Sequence, residues 1–291
     1  MPRKLVEPYE SGSNPKFLCI TRPLLVETNL LLEQACIERN VDFVSLVPGM
    51  MAKMDLPENL EESLLYRVTT DTPSVYLEKL LYGSKTTAFH NPHFIADHQP
   101  ITLLKSGVPV AQKICLPATD REELATQVEW LGGYPVVVKL AGTEGGQGVL
   151  LAEDPGELEY LLKQYPSGVL LEAFISHRKA YRLLVIGNEV KACTAAAPGP
   201  DDFRSNTVTA HDLGPIDPPE GAIDIALAAT DALRMEFGGV DILEDEEGTL
   251  FVSEVNNPCY FAHQQEATGD DLAGAMIDYL LAKSRKISST P

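Results

Sequence analysis

The chain has 291 residues, of which 44% are hydrophobic and 22% charged, an ordinary globular balance with enough length for two or three packed units. A net charge of −19 and a pI near 4.6 argue against nucleic acid or an anionic membrane surface as a partner, so any anion site has to be built locally. Five scattered cysteines without a CxxC pair suit reduced thiols in a cytoplasm, and no apolar run reaches membrane-spanning or signal-peptide form.

Residues 1–15 read as a loose tail. A strand at 17–20, a helix over 24–39 and a strand at 41–46 form a βαβ opening, hence a parallel sheet, with a third strand at 64–68. Asp71 and Pro73 supply a cap and a first-turn proline for the next helix. No glycine fingerprint follows the first strand, so this unit is expected to wall a cleft and not to bind a dinucleotide. Asn91-Pro92 predicts a helix start, with a stop at Gly107. Then come an extended stretch at 108–116, a helix over 120–131, a strand at 134–140, a glycine-rich loop, a strand at 149–152 and a helix over 155–165. A strand at 168–175 carries Glu172, and a hairpin of 181–186 with 189–195 turns at Gly187-Asn188. A long helix over 219–237 leads into a last hairpin, and a helix over 270–283 ends the chain. The expected fold is mixed α/β: a parallel α/β unit at 16–90, then two α+β subdomains at 91–168 and 169–291.

Four features carry chemistry. In the last hairpin, strands 238–243 and 250–256 flank the acidic turn 244–248, which sets Asp241 opposite Glu254. Alternation puts Glu254 and Asn256 on one face with Leu250 and Val252. Two carboxylates and an amide oxygen suit Mg²⁺; the bland alternative is the wet face of a hairpin. Second, the loop around Gly142, Gly145, Gly146, Gln147 and Gly148 offers backbone N–H groups to phosphate oxygens, with Lys139 just before it. It joins two strands and lacks Gly-Lys-Ser/Thr, so it is no P-loop, and a surface hairpin is its plain alternative. Third, Arg182 alternates into an apolar strand, where it is either paired structurally or holds an anion. Fourth, Asp202-Phe203-Arg204-Ser205-Asn206 suits phosphate or carboxylate contact, or is a solvated loop.

In order along the chain, Pro135-Val136-Val137-Val138-Lys139, the loop 142–148, Leu170-Leu171-Glu172-Ala173-Phe174-Ile175, Tyr181-Arg182, Phe203-Arg204-Ser205-Asn206, Gly239-Val240-Asp241 and Glu254-Val255-Asn256 resemble the ATP-grasp ligases of the RimK-like branch. The resemblance is strong over 130–283 and rests on layout alone before that. It implies ATP held between two subdomains, Lys139 on its phosphates, the glycine loop closing over them, and adenine along Glu172, Ala173, Phe174 and Ile175. It further implies two Mg²⁺ ions on Asp241, Glu254 and Asn256, with Mn²⁺ as a substitute, and Arg182, Arg204 and Asn206 at the reacting groups. The implied reaction joins a carboxylate to an amine through an acyl phosphate, adding an amino acid to an amino acid, peptide or protein in the cytoplasm, with a homo-oligomer possible. A thiol or hydroxyl acceptor, or a nucleotide-binding regulator without turnover, are the alternatives. Three departures stand out: Ala96-Asp97-His98 where the family has a lysine, Ala180 where it often has an acid, and Asn257-Pro258-Cys259-Tyr260 after the metal asparagine.

Overall fold

The computed structural model of the chain describes residues 14–22, 26–48, 63–83, 85–93, 99–140, 148–199, 202–205 and 211–288. They form three sheets. The first is parallel, in the order β2 (Asp42–Leu46), β1 (Lys16–Ile20), β3 (Leu64–Arg67), β4 (Thr87–Ala88). Alternation in β1 and β3 serves both faces. Phe17, Cys19, Leu64 and Tyr66 pack toward α1 (Val26–Glu38) and α8 (Leu272–Ser288), while Leu18, Ile20 and Leu65 pack on α2 (Thr72–Leu81). Asp71 caps α2 by accepting from the Ser74 backbone N–H at 3.0 Å, with Pro73 in the first turn, as the sequence pattern predicts. A fully buried pair, Arg67 with Glu78 at 2.7 Å, joins β3 to α2.

The second sheet is antiparallel, in the order β5 (Lys113–Ile114), β8 (Val169–Ala173), β6 (Val136–Leu140), β7 (Val149–Ala152). Its Val136, Val138 and Leu171 pack on α4 (Arg121–Trp130) and α5 (Pro155–Gln164). Strand β8 lies between β5 and β6, so the central unit that the sequence pattern closed at 168 extends through Ala173. The third sheet runs β11 (His211–Pro215), β10 (Glu189–Ala197), β9 (His177–Ile186), β12 (Phe237–Asp245), β13 (Leu250–Asn256), with α6 (Ala222–Ala232) on one face. Helix α7 (Ala262–Thr268) precedes α8.

Three expected boundaries move. Asn91 does not open a helix: its Oδ1 accepts from the His93 backbone N–H at 3.0 Å, closing a turn, and α3 (Gln99–Lys105) begins later. Helix α6 stops at Ala232 because Arg234 takes a left-handed φ of 55°, which frees Phe237 to start β12. Phe174 and Ile175 leave the strand at Ala173, and the Ile175 carbonyl instead meets His177 Nδ1 at 3.1 Å.

Helix α3 and the segment leading into β5 are stitched to β13. Gln99 at the start of α3 donates to the Val255 carbonyl at 3.0 Å and accepts from its N–H at 3.3 Å. The Val252 N–H donates to the Pro109 carbonyl at 2.7 Å, and Val110 bridges to Val252. Among the described residues no helix is long and apolar enough to cross a membrane.

Candidate active site

The β12–β13 hairpin sets Asp241 opposite Glu254 and Gly239 opposite Asn256, as the turn at 244–248 predicts. Face assignment differs from simple alternation. The register moves from Asp241↔Glu254 to Ile242↔Val252, so β13 spends one extra residue, Ser253, in a bulge. Val252 and Val255 therefore both reach the α6-side core, and Leu250 and Val252 face the opposite way from Glu254 and Asn256. The bulge delivers both polar side chains to the face that Asp241 occupies.

On that face the three groups touch. Asn256 Nδ2 donates to Asp241 Oδ2 and to Glu254 Oε1, each at 3.0 Å. Glu254 is exposed on one side, yet partial desolvation, then the charge of Asp241, push its carboxyl above its usual range, against the Asn256 hydrogen bond and Lys139. Two adjoining carboxylates that repel are the donor set a hard divalent cation satisfies, and an Asn256 amide turned over would add its oxygen. The residues thus fit Mg²⁺. Among the described residues there is no group of three or more His, Cys, Asp and Glu side chains that could hold a metal.

Arg182 lies across from Asp241 in the β9–β12 pairing and is paired, not free. Its Nε donates to Asp241 Oδ1 at 2.7 Å and an Nη to Oδ2 at 2.6 Å. Behind this pair, Gly239 has to lack a side chain: a Cβ there would lie 2.3 Å from Cys259 Sγ. The Cys259 thiol is pushed up to about 12, chiefly by burial.

Lys139, at the end of β6, faces this wall. Its Nζ is 3.5 Å from Ser253 Oγ and 3.0 Å from Glu172 Oε2. Burial pulls its ammonium below the usual range, against the carboxylates of Glu254 and Asp241. Leu140 N–H donates to the Gly148 carbonyl at 2.9 Å, closing the base of the glycine hairpin. Gly142, Gly145, Gly146 and Gln147 lie outside the described residues, as do Asn206 and Ala96-Asp97-His98.

Arg204 forks onto Asp202 at 2.8 and 2.9 Å, with its guanidinium carbon 5.9 Å from the Phe203 ring centre. Phe203 in turn meets Phe174 edge-on, with ring centres 6.1 Å apart. The next residue, Ser205, meets His177, five residues from Arg182 along β9, roughly 16 Å at the strand rise. The arginine cluster thus sits by the Glu172–Ile175 stretch and away from the hairpin carboxylates. Sequence patterns missed Lys113, which contacts Glu172 from β5; its signal was a lysine inside a stretch already read as extended.

Two sheets enclosing a lysine and a carboxylate pair, behind a parallel α/β unit, define an ATP-grasp fold. Solved structures agree on the fold. PsnB, an ATP-grasp ligase complexed with a phosphomimetic variant of its minimal precursor, Mg and ADP, has a TM-score of 0.72 at 15% identity, over 94% of this chain and 99% of that one. The D-alanine–D-alanine ligase of Bacillus anthracis has a TM-score of 0.65 at 15% identity, over 94% and 98%.

The pattern of the RimK-like ATP-grasp domain matches residues 99–280, and the chain belongs to that family. A probable alpha-L-glutamate ligase of Rhodopirellula baltica is 32% identical over 56% of this chain and 42% of its own length. The ribosomal protein bS6–L-glutamate ligase of Salmonella paratyphi B is 34% identical over 58% and 59%. The match thus spans about half the length of these curated relatives.

Proposed function

We propose that the chain is an ATP-dependent carboxylate–amine ligase that forms an amide through an acyl phosphate. The observation that carries this reading is Lys139 facing the Asp241, Glu254 and Asn256 cluster across the join of two sheets. Phosphoryl transfer needs alignment and charge neutralisation more than a protein nucleophile. Lys139 neutralises the phosphates of ATP. Adenine lies along Glu172, Ala173, Phe174 and Ile175, next to the Phe203–Arg204 cluster. Asp241, Glu254 and Asn256 hold Mg²⁺, two ions, replaceable by Mn²⁺, which supplies Lewis-acid neutralisation of the phosphates. Arg182 holds Asp241 in place, while Arg204, forked onto Asp202 beside the Glu172–Ile175 stretch, lies on the adenine side.

A carboxylate is a poor electrophile at neutral pH; as an acyl phosphate it yields to an amine and phosphate departs. The acid is an amino acid and the amine belongs to an amino acid, peptide or protein, a reading supported by relatives named for glutamate ligation to ribosomal protein bS6. Cys259 has little support as a nucleophile, since it is buried and held protonated.

The test is a trap. With ATP, Mg²⁺ and a panel of amino acids, hydroxylamine is expected to give a hydroxamate from the correct acid without its natural amine, and Cys259→Ser is expected to give it too. ADP release that no amine or hydroxylamine stimulates, or a covalent acyl-cysteine, sinks the reading.

A further inference from the structure

The Asn257-Pro258-Cys259-Tyr260 segment departs from the family pattern, and it is tied into the first α/β unit. The β12–β13 ladder ends at Gly239↔Asn256, so Asn256 is the last residue that strand pairing holds. Beyond it Asn257 takes over, its Nδ2 donating to the Phe237 carbonyl at 2.8 Å across the mouth of the hairpin. The same Nδ2 lies 3.3 Å from Nδ1 of His90, two residues past β4. Nearby ties run the same way: the Glu236 N–H donates to the Phe89 carbonyl at 3.2 Å, and the Tyr260 hydroxyl to Glu27 on α1.

One carbonyl fixes the protons along this chain of contacts. The Phe237 oxygen only accepts, so the Asn257 amide turns its nitrogen toward it, and the second N–H of that group reaches His90. Nδ1 then accepts, which places the ring proton on Nε2. That nitrogen is buried, without a hydrogen bond among the described residues, and lies 3.7 Å from Glu78 Oε1. Arg67 holds Glu78 from the other side at 2.7 Å. Burial pulls the His90 imidazolium below its usual range, against the charge of Glu78, so the ring stays neutral and keeps Nδ1 as an acceptor. The contacts thus run from a buried ion pair on β3 and α2 to the residue beside Asn256.

We propose that His90 is a positioning residue for the metal site: it fixes the Asn257 amide, which holds the backbone of Asn256 at the open end of β13. This rests on the ligase reading above, specifically on Asn256 as a ligand for Mg²⁺. The Asn256 amide donates to Asp241 and Glu254 here, and has to turn over to offer its oxygen. A side chain that turns keeps its aim only on a backbone that does not, which is the part supporting hydrogen bonds play behind a metal ligand.

The test is Mn²⁺ affinity of the full chain with ADP present, read from the free-Mn²⁺ signal in electron paramagnetic resonance. Half-saturating Mg²⁺ and kcat for ADP release are measured beside it. His90→Phe keeps a ring but removes the acceptor, Asn257→Ala removes the donor, and His90→Asn returns an oxygen near the Nδ1 position. Each is checked by circular dichroism. His90→Phe and Asn257→Ala are expected to weaken Mn²⁺ and raise half-saturating Mg²⁺ roughly 3- to 10-fold, the scale of one neutral hydrogen bond, with kcat at saturating Mg²⁺ within about two-fold. His90→Asn is expected to recover most of that loss. The double variant of His90→Phe with Asn257→Ala is expected to lose no more than Asn257→Ala alone, because both act through one contact. Should His90→Phe fail to fold, Asn257→Ala and His90→Asn carry the comparison. Wild-type Mn²⁺ affinity in folded His90→Phe or Asn257→Ala overturns the proposal alone. Equal losses in His90→Phe and His90→Asn also overturn it, because they show a ring that only packs, as do additive losses in the double variant. A wild-type chain that takes up no Mn²⁺ with ADP overturns the metal reading itself.

Discussion

Arg182 holds both oxygens of Asp241, Nε to Oδ1 at 2.7 Å and Nη to Oδ2 at 2.6 Å. The fork stretches across adjacent strands, from β9 to β12, and leaves the carboxylate one orientation. A lysine gives a point charge in place of a planar fork. Arg182→Lys is therefore expected to keep the fold and to weaken Mg²⁺ dependence roughly 10- to 100-fold, seen as a raised half-saturating Mg²⁺ concentration in ADP release. An unchanged Mg²⁺ requirement would remove Arg182 from the support of the metal site.

Asp241→Asn and Glu254→Gln are each expected to abolish Mg²⁺-dependent turnover in a folded chain, because each removes a negative ligand for a hard cation. Stability moves the other way. Without Mg²⁺, Glu254→Gln relieves a like-charge contact with Asp241 and is expected to raise the thermal midpoint, while the shift on adding Mg²⁺ shrinks. Both readouts come from one set of melting curves, and a lowered midpoint in Mg²⁺-free buffer would contradict the repulsion.

Glu254 also sets a pH dependence. Its carboxyl titrates above the usual carboxylate range in the folded chain, so its ionised form costs stability that is absent at low pH and appears as pH rises through the folded value. Mg²⁺ takes only the ionised form. Its affinity is therefore expected to fall about tenfold per pH unit once pH drops below the raised value, earlier than for ordinary carboxylates near about 4. Titrations of Mg²⁺ binding across pH show this directly, and Glu254→Gln flattens the curve.

Away from the cleft, Arg67 and Glu78 pair at 2.7 Å with side chains 3% and 2% exposed, between β3 and α2. Glu78→Leu leaves a buried guanidinium without its anion and is expected to cost about 3–5 kcal/mol in urea unfolding. Adding Arg67→Met is expected to restore most of that, since two packed apolar groups need no compensation. A double variant as unstable as the single one would mean that packing, not charge, dominates there.

Much of this architecture is local, and the sequence by itself determined it. Period-2 and 3.6-residue patterns marked β1, α1, β3, β7 and α5 closely, because burial of one face dictates the repeat. Asp71, Pro73 and Gly187-Asn188 marked a cap and a turn, because backbone geometry there is a matter of neighbouring residues. The acidic turn at 244–248 set the pairing of Asp241 with Glu254 for the same reason. What only the tertiary structure decided is which way Glu254 and Asn256 face. Alternation alone puts them with Leu250 and Val252, and the bulge at Ser253 turns them to Asp241. Nothing within β13 specifies that extra residue; it arises where the strand has to fit Ile242 and Asp241 on one side and Val110 on the other. Lys113 is the same case, for its meeting with Glu172 joins residues 59 apart in sequence, a distance over which no local pattern reaches.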